Sequence, residues 1–360
     1  MERLSEKEWK VFPAFGENGL LHIATTSSSI DGIKLKDGTI KRVPYITRSD
    51  ANNGVARFVS DSNYEFGSDD ARCITVGLDT QTAFYQPHKF VTGQNIQIIT
   101  GEQLNEATAQ FLVTTLKEQM QVKFNWGGNG ATLGRMKRLE VMLPVTDSGE
   151  PDYEYMAEYT RQRREAMLAK YRTYVEKRIA ELGEVAEIPA LDEKEWNEFV
   201  LDDIFTVGAG KRLETRNKVD GIRPFIGATA NGNGVTGFVG NDNASKDSNV
   251  LGVNYNGAPC IAFYHPYECI FTDDVKRLHL KNHIDDKYVL LFFTSIFAMQ
   301  RVKYSYGYKF KEKRMHRQKL MLPVTDAGNP DYEYMEQYSK NMMLRKYQQY
   351  LTFLQQRSDA

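Results

Sequence analysis

The sequence predicts an α+β protein made of two homologous halves, in which each mixed α/β domain is followed by one long helix. Residues 141–156, "VMLPVTDSGEPDYEYM", return 179 positions later as "LMLPVTDAGNPDYEYM" at 320–335. The start of each copy also repeats, as "EKEWKVF" at 6–12 and "EKEWNEF" at 193–199. An internal repeat has to be recognised first, because missing it misassigns the whole fold.

The body of each half carries strand and turn signals. "VPYITRSDANNGVARFV" at 43–59 returns as "RPFIGATANGNGVTGFV" at 223–239, and "AFYQP" at 83–87 returns as "AFYHP" at 262–266. Short β-branched or aromatic runs between Gly and Asn clusters indicate strands joined by turns. One apolar helix is expected within each half. The two runs are "AQFLVTTLKEQM" at 109–120 and "YVLLFFTSIFAM" at 288–299.

A long helix is expected after each copy of "PDYEYM". In the first copy Pro151 suits the first helical position, and the acids Asp152 and Glu154 suit the positive end of the helix dipole. The predicted helices cover 152–182, before Gly183, and 331–356. We therefore expect four segments. They are a domain at 1–147, a helix at 148–186, a domain at 187–326 and a helix at 327–360.

The two helices carry apolar residues at intervals of three and four, as in a coiled-coil seam. "MLAKYRTYV" and "MLRKYQQYL" align only if the first helix is three residues longer than the second. The helices are each other's obvious partners, so we predict an antiparallel pair and halves related by a pseudo-twofold rotation. The predicted seam consists of Leu168, Tyr171, Val175, Ile179 and Leu182 in the first helix, and Leu344, Tyr347, Leu351 and Leu354 in the second.

Composition is that of a globular, soluble protein, with 41% hydrophobic and 26% charged residues in a chain of 360. The longest apolar run is shorter than the ~20 residues that span a bilayer, and the first ten residues lack the apolar core of a signal peptide. The net charge of −1 is not that of a small autonomous nucleic-acid binder. Cys73, Cys260 and Cys269 form no CxxC pair, so free buried thiols in a reducing compartment are expected.

Catalytic and metal-binding patterns are scarce. The sequence has no GxGxxG after a strand, no P-loop and no [DN]PP[YF] tetrad of an amino-methyltransferase, and "VGAGKR" at 207–212 is interpreted as a turn. His279 and His283 lie four apart without the Glu of H-E-x-x-H. A cluster of Cys260, His265 and Cys269 is disfavoured, because Gln86 replaces the histidine in the first half. The sequence predicts neither an active site nor a metal site.

The clearest local charge is "RVKYSYGYKFKEKRMHRQK" at 301–319, with eight Lys or Arg, one Glu and four aromatics. Its counterpart, "VKFNWGGNGATLGRMKR", is also basic, glycine-rich and aromatic. Such runs are either solvated surfaces or phosphate-binding loops, and the duplication favours the second interpretation.

The paired segments "TRSDANNGVARF" and "GATANGNGVTGF" offer Arg and Asn side chains, which read guanine and adenine, although Asn-Gly pairs are equally turn formers. The candidate DNA-contacting residues are Arg48, Asn52, Asn53, Arg57, Asn125, Asn129, Lys137 and Arg138 in the first half, and Lys211, Arg212, Thr229, Asn231, Asn233, Lys303, Tyr306, Tyr308, Lys309, Lys311, Lys313, Arg314 and Arg317 in the second.

The whole chain resembles the specificity subunits of type I restriction-modification systems, and is similar to those of type IIB enzymes. The resemblance is carried by Trp9 and Trp196 at the starts of the copies, "DIFTVGAGKR", the two "LPVTD" ends and the helices behind them. One departure is that "IATTSSSIDG" stands in the first half where "GKR" would be expected.

The resemblance implies that each domain is a target recognition domain that reads one half of a bipartite DNA sequence. It implies that the helices set the gap and dock two methyltransferase subunits, through which restriction subunits attach. It also implies a non-catalytic, cytoplasmic chain, with S-adenosylmethionine, Mg and ATP belonging to partner subunits. Two alternatives stay open: a coiled-coil adaptor that binds only protein, and a methyltransferase or nuclease with an unrecognised active site.

Overall fold

The chain forms two compact units, residues 1–171 and 172–360, in the computed structural model, which describes residues 3–124, 130–304 and 307–358. The boundary between the units falls inside the first long helix. Both units have the same succession of strands and the same sheet topology, as the sequence repeat predicts.

The first unit contains a four-stranded antiparallel sheet, a three-stranded sheet with one parallel pair, and a two-stranded sheet in its described part. The four-stranded sheet has the order β2-β8-β5-β6, the three-stranded sheet β4-β3-β7, and the two-stranded sheet pairs β1 with β9. The strands are β1 (Trp9–Pro13), β2 (His22–Thr25), β3 (Val43–Ile46), β4 (Val55–Val59), β5 (Cys73–Gly77), β6 (Ala83–Gln86), β7 (Val91–Thr92), β8 (Ile96–Thr100) and β9 (Glu140–Pro144). The helices are α1 (Glu106–Lys123), α2 (Leu133–Met136) and α3 (Tyr153–Leu182).

The core of the first unit lies between α1 and the four-stranded sheet. Asn105 caps α1, because its side chain accepts the amide of Ala107 at 2.9 Å. Leu112 and Leu116 on one face of α1 share a buried cluster with Ile99 of the sheet. Fully burying each such side chain stabilises the fold by about 1.5–3 kcal/mol.

The second unit repeats these sheets as β11-β17-β14-β15, β13-β12-β16 and β10-β18. The strands are β10 (Trp196–Val200), β11 (Phe205–Ala209), β12 (Arg223–Ile226), β13 (Val235–Val239), β14 (Val250–Asn254), β15 (Ala262–His265), β16 (Ile270–Phe271), β17 (Val275–Leu280) and β18 (Lys319–Pro323). The helices are α4 (Leu201–Ile204), α5 (Lys287–Met299), α6 (Glu312–His316) and α7 (Tyr332–Ser358).

Helix α5 is the buried helix that the apolar run predicts. Asp286 caps it by accepting the amide of Tyr288 at 2.7 Å. Phe293 is fully buried and meets Phe205 of the four-stranded sheet edge to face, at 4.7 Å between ring centroids.

The long helices α3 and α7 have 30 and 27 residues, which confirms the predicted three-residue difference. The expectation that Pro151 opens the first helix is wrong. Asp152 is instead the N-cap, since its carboxylate accepts the amide of Tyr155 at 2.9 Å, and Asp331 accepts that of Tyr334 at the same distance. The proline lies one residue earlier, in a bridge to Val145 that closes the preceding turn.

Within the second unit, the end of α3 runs antiparallel to α7. Tyr174 meets Tyr347 edge to face at 6.5 Å, and further along the chain the Asn341 side chain exchanges two hydrogen bonds of 3.1 and 2.9 Å with the backbone of Ala186. Residue numbers therefore rise along one segment as they fall along the other. Of the predicted seam, Val175, Leu182, Leu344 and Leu354 are buried, and Leu168, Tyr171, Ile179, Tyr347 and Leu351 are half-buried.

Candidate nucleic-acid interface

The duplicated Asn-Gly segment forms the same closed turn in both units. It spans 47–54 in the first and 227–234 in the second, and in each a backbone hydrogen bond of 2.8 Å joins the first residue to the last. Gly54 and Gly234 have φ of 77° and 75°, a left-handed conformation that favours glycine. The shared Asn-Gly pair therefore builds the turn.

The asparagines of these pairs also adopt left-handed conformations, with φ of 57° at Asn53 and 54° at Asn233. Asn tolerates this region better than most residues. The Asn53 amide donates to the Tyr85 carbonyl at 2.9 Å, and the Asn233 amide donates to the Tyr267 hydroxyl at 3.1 Å. Both side chains, which are candidate base readers from the sequence, hold the turn against a neighbouring segment.

Two of the candidate arginines of the first unit, Arg48 and Arg57, have partners within the protein. The Arg48 guanidinium bonds the Asp79 carboxylate at the neighbouring turn. Arg57 donates to the Gly32 carbonyl at 2.9 Å and lies 5.9 Å above the ring of Tyr45. Both arginine side chains remain solvent-exposed, so DNA contact requires them to add or exchange partners.

The tips of the two turns are open to solvent. Asn52 and Asn231 are exposed. Thr229 makes two hydrogen bonds: its hydroxyl accepts from the backbone N–H of Asn231 at 3.2 Å, and its carbonyl accepts from the Asn254 side chain at 2.9 Å. Thr229 thus holds the backbone at Asn231 in place.

The "GKR" loop of the second unit lies beside this turn. Arg212 lines a depression of about 640 Å³ together with Gly227, Ala228 and Asn256. The loop is held by the Lys211 amide, which donates to the Phe271 carbonyl at 2.8 Å. Only glycine suits the preceding position, since a side chain on Gly210 would lie 1.9 Å from a backbone oxygen.

The basic segment also lies beside Asn256. A second depression of about 960 Å³ is lined by Asn256, Pro259, Arg301, Tyr304 and Lys309. Residues of three segments far apart in sequence are therefore neighbours of one turn. They come from 212–215, from 227–236, and from 301–304 together with Lys309. The sequence reasoning missed that turn, residues 254–259, although its own Asn-Gly pair was a signal.

Ion pairs with residues outside the basic run engage its one acid and one of its lysines. Lys276 is buried on β17, and its ammonium lies 2.5 Å from Glu312, the acid of the run. The hydrogen bond from Lys276 lowers the pKa of Glu312. Lys319 pairs with Glu198 at 2.6 Å. The candidate side chains of the run that remain exposed to solvent are Lys303, Tyr308, Lys311, Lys313 and Arg317, and Lys309 and Arg314 are half-buried.

The equivalent loop of the first unit is attached similarly. The Ala131 amide donates to the Leu78 carbonyl at 3.0 Å, so the end of the loop lies on the turn that also carries Asp79. Lys137 and Arg138 follow α2's last turn and are exposed. Three candidates, Asn125, Asn129 and Tyr306, lie outside the residues that the structure describes.

The three cysteines and His265 are buried, which keeps all four side chains in their neutral forms near neutral pH. Burial raises the pKa of Cys73, Cys260 and Cys269 to about 12, so these free thiols stay protonated. Burial lowers the pKa of His265 to about 4. Within residues 3–124, 130–304 and 307–358, no three His, Cys, Asp or Glu side chains are grouped to hold a metal ion.

A family model for the type I restriction modification DNA specificity domain matches the chain twice, over residues 7–168 and 193–351. The chain belongs to this family. A curated relative, the specificity subunit of a type II restriction enzyme from Heyndrickxia coagulans, is 38% identical over 319 residues, which cover 87% of this chain and 89% of that protein.

Two solved structures are also similar to this specificity subunit. The S subunit of a type I restriction-modification system from M. genitalium is 15% identical and covers 100% of this chain and 96% of its own, with a TM-score of 0.48. The HsdS subunit from Thermoanaerobacter tengcongensis is 13% identical, covering 88% and 85%, with a TM-score of 0.32. The family assignment depends on the sequence matches.

The predicted resemblance to a specificity subunit is confirmed, and so is the two-domain α+β organisation with its internal repeat. The protein is a DNA sequence-recognition subunit of a restriction-modification system, and it is a non-catalytic subunit. No helix in the described parts of the chain combines the length and apolar character needed to cross a membrane.

Proposed function

We propose that each unit of this specificity subunit reads one half of a bipartite DNA target through the surface at which its turns converge. The observation that carries the proposal is the meeting of the "GKR" loop, the Asn-Gly turn and the basic segment around residues 254–259. Sequence charge and turn patterns selected the first three of these segments independently of their position in the fold.

The chemistry of this surface suits a DNA groove. Exposed cations such as Lys303, Lys311 and Lys313 neutralise phosphates, which orients the protein on the duplex. Arg212 and Asn231 carry the bidentate groups that distinguish guanine and adenine in the major groove. Their positions at the edge of the depression and at the turn tip support a role in base readout.

The first unit carries a different set of side chains on the corresponding turn. Arg48 and Arg57 occupy positions that are Ala228 and Gly237 in the second unit. Asn52, at the exposed tip, is the remaining candidate there. Different side chains on a common turn support two different half-sites, and Lys137 and Arg138 supply the phosphate contacts in this proposal.

A specificity subunit needs catalytic partner subunits, and the same proposal names them. The two long helices are proposed to dock two methyltransferase subunits, and restriction subunits attach through those subunits. S-adenosylmethionine, Mg and ATP then belong to the partner subunits, which act in the cytoplasm. The net charge of −1 supports an assembly in which partners provide much of the phosphate contact.

Salt dependence of DNA binding by the complex with methyltransferase tests the proposal. Replacing Lys311 and Lys313 by glutamine removes two exposed cations and is expected to reduce the slope of log affinity against log salt by roughly 0.9 per lost phosphate contact. Lys319→Gln is the matched control, since this lysine belongs to the same run but pairs with Glu198.

The expected result is a smaller slope for the double variant and an unchanged slope for the control. Equal slopes for all three proteins would reject the basic segment as a phosphate contact. A complex that binds every DNA sequence equally would reject sequence recognition, and one that binds no DNA would favour the adaptor that binds only protein.

A further inference from the structure

Two equivalent arginines make the same internal bond in the two units. The Arg314 guanidinium donates to the Lys309 carbonyl at 2.7 Å, and the Arg135 guanidinium donates to the Gly130 carbonyl at 3.1 Å. In each case the acceptor lies five residues before the arginine, at the end of the basic loop. The acceptor is a backbone oxygen, so the bond forms although glycine stands in one unit and lysine in the other.

In the second unit, aromatic contacts add to the hydrogen bond between Arg314 and Lys309. The Arg314 guanidinium lies 3.8 Å from the ring centroid of Tyr308, and Tyr308 stacks on Tyr304 with planes 14° apart. The Tyr304 hydroxyl donates to the Gln318 side chain at 2.6 Å. Tyr304, Tyr308 and Lys309 are thereby connected to Arg314 in α6 and to Gln318, two residues beyond its end.

We infer that Arg135 and Arg314 are positioning residues that hold the ends of the DNA-facing loops at Gly130 and Lys309, and that neither is a phosphate contact. The sequence pattern predicts DNA contact for Arg314 because the residue is basic, but the pattern does not show which way the side chain points. In the structure its guanidinium is half-buried against Tyr308 and the Lys309 carbonyl. The role in DNA recognition rests on the proposed function, whereas the constraint on the loop does not.

The guanidinium group suits both positions, because it donates in its plane to a backbone carbonyl in each unit. At Arg314 it also stacks on the ring of Tyr308 at the same time, which a lysine ammonium cannot reproduce. The arginine is constant between the units, while Tyr308 and Lys309 of the loop differ from Asn129 and Gly130 at the equivalent positions. A constant support with variable loop residues lets the same fold present different half-site contacts.

A substitution that preserves the charge distinguishes a positioning role from a phosphate contact. Arg314→Lys in the full chain, assembled with methyltransferase, is expected to weaken specific binding about tenfold or more, since a charge-assisted hydrogen bond is lost. The salt slope stays unchanged, because the charge stays. Discrimination should fall at one half-site only, and Arg135→Lys should reduce discrimination at the other, an outcome that general destabilisation does not produce.

Lys311→Gln is the comparison variant, and it is expected to reduce the salt slope by roughly 0.9 with little loss of discrimination. In the free chain, hydrogen exchange at the amides of residues 307–311 should be faster in Arg314→Lys than in the wild type.

The inference is overturned if Arg314→Lys binds like the wild type with unchanged exchange. It is also overturned if Arg314→Gln merely reduces the salt slope as Lys311→Gln does. If the wild-type complex shows no sequence preference, the proposed function fails, and the exchange measurement alone then decides whether Arg314 constrains the loop.

Discussion

The indole of Trp196 stacks on the ring of Phe292, with centroids 6.3 Å apart and planes 23° apart. Phe292 also meets Tyr338 edge to face at 5.7 Å, so the first strand of the second domain, the buried helix α5 and the long helix α7 join in one aromatic cluster. The indole N–H is satisfied by the Leu191 carbonyl at 2.9 Å, which orients the ring.

The first unit has the same cluster, with nearly the same geometry. Trp9 stacks on Phe111 at 6.2 Å and 23°, and Phe111 meets Tyr159 edge to face at 5.8 Å. The same ring contacts therefore join each long helix to the first strand and to the buried helix of its own domain.

Replacing the central ring should therefore weaken each unit. Phe292→Leu keeps most of the apolar volume but removes two aromatic pairs, and each such pair contributes about 0.5–1.5 kcal/mol. We expect the free energy of unfolding to fall by about 1–3 kcal/mol. Phe111→Leu should do the same in the first unit. Urea unfolding followed by near-ultraviolet circular dichroism measures both changes.

Phe238→Leu is the matched control, because that ring is 60% exposed on β13. Its effect is expected to stay within about 0.5 kcal/mol, as for most surface changes. Equal losses for Phe238→Leu and Phe292→Leu would contradict the importance of the cluster.

The N-cap of α3 predicts that the free energy of unfolding decreases at acidic pH. Burial raises the pKa of Asp152, but hydrogen bonds from the Tyr155 amide and Lys7 outweigh it, and the pKa is lowered below its usual 3.8. The stabilisation is therefore present above that value and is lost as pH falls through the lowered pKa. Asp152→Ala should cost about 0.5–2 kcal/mol at neutral pH, as loss of an N-cap does.

Asp152→Asn separates the cap from the charge. Asparagine is a good N-cap, so this variant should retain most of the helix stability and lose the acid dependence. Unfolding free energies of the three proteins between about pH 2 and 7 measure both quantities. An alanine variant as stable as the asparagine variant would show that Asp152 does not cap the helix.

His279 predicts a loss of stability in alkali. Hydrogen bonds to Asp285 at 2.7 Å and Asp247 at 3.1 Å raise its pKa to about 9, despite partial burial, and Arg277 also pairs with Asp247. Because the folded pKa exceeds the usual 6.5, the contribution is fully present below that pH and is lost as pH rises through about 9. His279→Gln should therefore be less stable than the wild type near neutral pH and closer to it in alkali.

Thermal unfolding at about pH 6, 8 and 10 measures this convergence. His88→Gln, which replaces a histidine exposed beyond β6, is the control and should parallel the wild type throughout. A constant difference between wild type and His279→Gln at every pH would show that the histidine contributes by packing alone.

The sequence predicts the fold well where the signal is repeated or strongly periodic. The buried helix α5 and the different lengths of α3 and α7 follow from apolar runs and from the offset between the copies. The start of α3 is predicted less well. Pro151 is compatible with the first helical position. The Asp152 carboxylate, however, accepts the free backbone amide of Tyr155, so that Asp152 becomes the N-cap and the helix begins after it.

The candidate interface is predicted by segment and less well by residue. Charge and turn patterns select the loops around Arg212 and Lys309, which the structure brings to one turn. They do not distinguish an arginine that faces solvent from Arg314, which faces a backbone carbonyl, or a free asparagine from Asn53, which holds its own turn. Those differences depend on contacts across the fold, which no local pattern contains.

The length of α3 predicts the spacing of the two half-sites under the proposed function. A helix of 30 residues is about 45 Å long at 1.5 Å per residue, or about 13 base pairs of DNA at 3.4 Å each. Half-sites of a few base pairs then leave a nonspecific gap of roughly 5 to 8. Four residues inserted after Thr160 add about 6 Å and should lengthen the gap by one or two base pairs.

The insertion point follows Tyr159, so the aromatic cluster of the first unit stays intact and its half-site should not change. The three-residue difference between α3 and α7 indicates that the seam tolerates a change of nearly one helical turn. Methylome sequencing of cells carrying the variant reports both half-sites and the gap, and an equal insertion after Asp37, in an exposed loop, is the control. An unchanged gap with full methylation would mean that α3 does not set the spacing, whereas altered half-site bases would mean that the reading surface lies elsewhere.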